Sequence, residues 1–125
     1  MSADAEPGNP RPPTQPEQAI ALRPILHIAA HFVVPALVAR FAVREARWRA
    51  FAILVATMLV DLDHLLADPI YDPDRLSLGF HPLHRWELQP VYVLLALWPR
   101  TRLVGVGLVI HMLLDGVDGL WMLAR

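Results

Sequence analysis

Residues 103–124 read LVGVGLVIHMLLDGVDGLWMLA. The run is about 20 residues long, the length a helix needs to cross a bilayer. Three ionisable side chains interrupt it: His111 and Asp115 are four residues apart, and Asp118 lies one further turn along. At helical spacing the three share one stripe. An unpaired charge inside a bilayer costs about 2.5 kcal/mol or more, so such a stripe calls for a partner. Fold and chemistry are therefore read together from this segment.

Residues 24–43 and 48–67 are apolar runs of similar length, and residues 88–99 form a shorter one with an apolar centre spanning about 17 Å as a helix. The third run needs flanking residues to complete a crossing, and a re-entrant segment is its alternative. Over half of the 125 residues are hydrophobic (55%), more than a small soluble domain buries. The expected fold is all-α: an integral membrane bundle of about four transmembrane helices over residues 24–125, with a functional loop at 68–87. Residues 1–23 carry Pro7, Pro10, Pro12, Pro13 and Pro16 among polar residues and are expected to be a disordered tail. They lack the charged and apolar regions of a signal peptide.

Arg40, Arg44, Arg47 and Arg49 crowd the link between the first two runs, and Arg100 and Arg102 the link between the last two. In an up-down bundle these links share a side, which the positive-inside rule makes cytoplasmic. The 68–87 loop then faces outward. Trp86, Trp98 and Trp121 read as interface anchors or packing.

What is missing narrows the chemistry. The chain has no Cys and no Lys, so a disulfide scaffold, a thiolate zinc site, a P-loop and a Schiff base are all excluded. Ser2 and Ser77 are the only serines, and neither sits in a nucleophile elbow. A net charge of −1 without a basic block gives no footprint for nucleic acid.

What remains is His, Asp and Arg. His27 and His31 are four apart at the start of the first run; Asp61 and His64 are three apart near the end of the second, with Asp63 between them. His81 and His84 stand in the loop as His-Pro-Leu-His, and His111 and Asp115 in the later half of the last run. In an alternating topology all these groups lie toward one face of the membrane. Carboxylates near helix C-termini meet the negative pole of the dipole and need a cation. A divalent metal supplies it and uses the histidines. Imidazole and carboxylate without thiolate suit Zn, with Mn or Fe as alternatives. The expected ligands are His27, His31, Asp61, His64, His81, His84, His111 and Asp115. Asp68, Asp72 and Asp74, alternating with Pro69 and Pro73, read as turn structure.

The elements Asp61-Leu62-Asp63-His64, His81-Pro82-Leu83-His84 and His111-x-x-x-Asp115 together resemble small bacterial inner-membrane families described as metal-dependent hydrolases, over residues 24–120. Those families are in turn thought similar to zinc phospholipase C and zinc single-strand nucleases. The resemblance implies an inner-membrane location, phosphoester hydrolysis, and His111, Asp115, Asp61 and His64 as ligands. On this reading Asp63 or Asp118 acts as general base, Arg75 and Arg85 stabilise developing negative charge, and Arg85 is equally a structural partner for an acid. Expected partners are membrane lipids and a lipid-phosphate substrate, with self-association left open. The alternative is a non-enzymatic metal-binding or ion- or proton-conducting membrane protein, since His and Asp chains also build such paths.

Overall fold

A computed structural model describes residues 14–124 and is all-helical, with no strand among the described residues. Four α-helices follow in order: α1 (Gln15–Ala42), α2 (Arg47–Ala56), α3 (Gln89–Leu97) and α4 (Arg102–Leu123). A 3₁₀ segment, Thr57–Leu66, continues α2 directly.

Helix α1 starts at Gln15 rather than Pro24, so most of the second half of the expected tail is helical; residues 1–13 lie outside the described ones. Its first backbone bond runs from Gln18 N–H to Thr14 C=O. Pro16 falls in the first turn, where its missing N–H has no helical partner to lose, and Ala19 to Leu22 are helix formers.

The second run is half α and half 3₁₀. The Thr57 hydroxyl donates to Leu54 C=O (2.6 Å) at the switch between them. At about 1.5 and 2.0 Å per residue the two parts together extend about 35 Å. Helix α3 is shorter than expected: Trp86–Leu88 is a separate 3₁₀ turn, and the helix proper reaches about 14 Å. Two helical stretches, Leu22–Ala42 and Arg102–Leu123, are long and apolar enough to cross a membrane.

Helix α4 is the centre of the assembly, with α3, α2, α1 and the 3₁₀ segment all packed on it. Two glycines permit this. A Cβ at Gly105 would collide with the α3 backbone at Leu95 and Ala96, and one at Gly107 would come within 2.6 Å of Thr57 Cγ2. Small residues at such crossings let helix backbones approach closely. Near the arginine-rich links the core is Ala39, Ala50 and Leu54, and further along it is Val60, Tyr92 and Met112. Beyond that second cluster the interior turns polar: His31, Asp63, His81, His84, His111 and Asp115 are all buried.

Candidate metal centre

Each element delivers its side chains for a local reason. On α1, Arg23, His27 and His31 recur every fourth residue and form one stripe. In the 3₁₀ segment three residues make a turn, so Asp61 and His64 eclipse while Asp63 leaves on another side. Asp63 is 5% exposed and grips the loop: its Oδ2 accepts from Leu83 N–H (2.7 Å) and His84 Nδ1 (3.1 Å). Tyr92 Oη holds the same turn from the far side by donating to Leu83 C=O (2.7 Å). Gly79, at φ 84°, closes the loop by donating its N–H to His84 C=O (2.9 Å). His84 is thereby fixed from three directions and fully buried.

Four donor atoms meet from the 3₁₀ segment, α4 and the loop. His84 Nε2 lies 3.1 Å from Asp115 Oδ2 and 3.3 Å from both Asp61 Oδ1 and His111 Nε2. His111 Nε2 is 3.1 Å from Asp61 Oδ1 and 3.7 Å from Asp115 Oδ2. Ligands at 2.0–2.1 Å from a tetrahedral zinc stand about 3.3 Å from one another, so these separations match a four-coordinate ion.

The hydrogen-bond chemistry agrees. A carboxylate only accepts, so His84 Nδ1 carries the proton shared with Asp63, and a neutral ring then points a lone pair from Nε2. That lone pair faces two carboxylate oxygens and another imidazole nitrogen. Asp115 Oδ2 is buried without an aligned hydrogen-bond donor. Acceptors facing acceptors in a buried site need a cation between them. Without a metal the nearest substitute is a proton: burial opposes the charged form of His84, but the facing Asp115, Asp61 and Asp63 carboxylates hold its pKa up to about 10. These residues fit a divalent metal.

The other expected residues fall around this group. His27 Nε2 and His31 Nε2 lie 3.3 and 3.5 Å from Asp115 Oδ1, the carboxylate's other oxygen. His64 Nδ1 leans on Asp63 Oδ1 (3.0 Å) and its ring stacks on His81 at 3.6 Å between centroids. His81 joins none of the donor groups, and burial followed by the neighbouring His64 lowers its pKa. Asp118 sits at the edge, 3.9 Å from His27 Nδ1. Arg75 is spent on the loop, donating to Pro69 C=O (2.7 Å), pairing with Asp72 and lying over Phe80. Arg85 is exposed and pairs with Glu87 (3.0 Å), away from the centre. Asp72 accepts from Asp74 N–H (3.0 Å), consistent with a turn.

Sequence reading missed Arg23, which it placed in the tail. Arg23 is 7% exposed, donates to Pro73 C=O (2.6 Å) and pairs with Asp118 (3.4 Å). Its four-residue spacing to His27 was the available signal. Tyr92 was missed too, because its role depends on the loop's path.

Fold and site thus define an all-helical protein with a buried histidine–carboxylate centre. Residues 21–122 match the model of a family described as "Family of unknown function (DUF6122)", and the chain belongs to that family. No curated protein and no solved structure matches the chain.

Proposed function

We propose that this chain is an integral membrane, metal-dependent hydrolase of a phosphoester carried by a lipid. The observation that carries the reading is the Asp61–His84–His111–Asp115 group, whose two histidine nitrogens lie 3.1–3.7 Å from each other and from the carboxylate oxygens, close to tetrahedral spacing.

The membrane reading draws on exposure as well as length. Only 17% of the α1 span and 28% of the α4 span are buried within the chain, unlike core helices of a soluble protein. Ile25, Leu94, Leu97 and Leu120 are each more than 60% exposed, and a continuous apolar exterior of that kind needs an apolar solvent. Trp48 and Trp98 lie at the arginine-rich end and Trp86 and Trp121 toward the other, as two interface belts would. The positive-inside rule then turns the metal centre outward from the cytoplasm.

Asp61, His84, His111 and Asp115 would hold the ion. A bound divalent ion would supply Lewis acidity toward a phosphoester, and an activated water wherever its ligand set leaves a position open. Asp63 keeps the His84 ring oriented through Nδ1, the part an outer carboxylate plays in metal sites. Arg23, rather than Arg75 or Arg85, is the buried cation near the centre. It lines a cavity of about 170 Å³ with His27 and Asp118, where it can meet the negative charge of a phosphoester. Asp118, in the same cavity, would accept the proton. The lipid is favoured by an apolar groove of about 660 Å³ between α4, α3 and the loop, lined by Leu78, Trp86, Val93, Met112 and Leu113, with Asp115 in its wall. An acyl or prenyl chain in it would bring its headgroup to the centre.

An ion-conducting path is disfavoured, because Ala39, Ala50 and Leu54, flanked by Val38, Phe51 and Leu103, close the other half of the bundle with apolar side chains. The test is release of phosphate or a phosphorylated headgroup from lipid-phosphate vesicles by reconstituted protein. Activity lost with chelator, restored by Zn²⁺ and absent in Asp115→Ala supports the proposal; wild-type activity indifferent to chelator contradicts it.

A further inference from the structure

We infer that the chain holds a second divalent cation on His27, His31 and Asp115, with Asp115 bridging the two ions, and that this second ion carries the open coordination position. The inference rests on the reading of the Asp61–His84–His111–Asp115 group as a metal site and extends it.

The two oxygens of Asp115 are divided between two sets of nitrogens. Oδ2 faces His84 and His111 at 3.1 and 3.7 Å; Oδ1 faces His27 and His31 at 3.3 and 3.5 Å. The second pair of distances again matches the spacing of about 3.3 Å between ligands on a tetrahedral ion.

The protonation pattern of His31 provides an independent observation. Its Nδ1 lies 2.9 Å from His27 C=O, and a carbonyl only accepts, so Nδ1 carries the hydrogen. The lone pair of the neutral ring is then on Nε2, which is buried in a residue only 3% exposed and has no hydrogen-bond partner. It faces a carboxylate oxygen that is also an acceptor. A cation between them satisfies both. The i,i+4 spacing of His27 and His31 puts their ring centroids 4.5 Å apart and lets both reach Asp115.

The two groups differ in what they leave free. Four protein ligands close a tetrahedral ion, whereas three leave a position for water or substrate. The three-ligand group also opens on a cavity: the His27 side chain is 25% exposed and lines it together with Arg23 and Asp118. Asp118, with Oδ1 3.9 Å from His27 Nδ1 and Oδ2 paired with Arg23, stands where an outer carboxylate would orient that ring.

The experiment is Co²⁺ titration of detergent-purified, chelator-stripped protein, with stoichiometry from calorimetry and visible absorption. Wild type is expected to bind two equivalents. The His27→Gln/His31→Gln double variant, with helix content checked by circular dichroism, is expected to lose one of the two. Inorganic phosphate should shift the Co²⁺ absorption of wild type and leave that of the double variant unchanged. One equivalent in both proteins overturns the second site and leaves the first standing. An equal phosphate shift in both places the open position on the other ion and overturns that part. No Co²⁺ bound by wild type overturns the underlying metal site as well.

Discussion

Asp63 shows how a single side chain sets the chemistry of another. It spends one oxygen on a backbone N–H and a ring nitrogen of the 81–84 turn, and so decides which nitrogen of His84 meets the centre. Asp63→Asn would keep the shape and weaken the acceptor. Metal affinity should fall about 10–100-fold with helix content retained, as competition with a chromophoric chelator would measure. An unchanged affinity would make Asp63 a purely structural residue. His84 also gives the centre a pH dependence. The metal must displace the proton that the surrounding carboxylates hold on the ring up to about pH 10. Apparent metal affinity should therefore rise by about tenfold per pH unit through the neutral range. The stripped protein should behave in the opposite sense. A raised pKa stabilises fully below the ordinary value of 6.5, and that contribution is lost as pH rises through about 10. Thermal unfolding of stripped protein, wild type against His84→Ala, should show the difference shrinking over that window. At this scale the sequence was informative where spacing is rigid: His27 with His31 and His111 with Asp115 follow from helical periodicity alone. It was uninformative for Asp63, Arg75 and Arg85, whose partners depend on how the 67–85 loop runs.

At the scale of elements, the 3₁₀ segment and the two close glycines position the site. An α-helix would leave Asp61 and His64 about 60° apart around the axis, whereas three residues per turn align them. Nothing in the composition of residues 57–66 distinguishes the two helix types, so the sequence yields a uniform second helix. The early start of α1 has a similar cause: prolines dominate the composition of the tail, yet Pro16 occupies a first-turn position that tolerates proline. Gly105 and Gly107 set the distance of α3 and α2 from α4. Gly105→Ala should cost about 1–3 kcal/mol by forcing α3 outward, read as a lower unfolding temperature in detergent. Gly116→Ala is the control, since its Cβ would make an ordinary 3.4 Å contact with Leu78 Cδ1. Equal behaviour of the two variants would contradict the close packing described here.

At the scale of the molecule, the histidine and aspartate groups gather at one end of the bundle and the arginine-rich links at the other. Alternating helix direction made this arrangement legible from the sequence, because His27, His64, His81 and His111 fall at matching depths. The lack of cysteine makes sidedness directly measurable. Glu45→Cys and Asp72→Cys, probed in intact cells and in inverted vesicles with an impermeant thiol reagent, should label from opposite sides, Asp72→Cys from outside. Labelling from one common side would contradict the transmembrane reading. Metal analysis of purified protein decides whether the buried histidine–carboxylate group is a metal centre. Wild type should carry stoichiometric divalent metal, and Asp115→Ala should lose it while keeping its helix content. A wild-type protein that binds no divalent metal and keeps its fold in strong chelator would contradict the account.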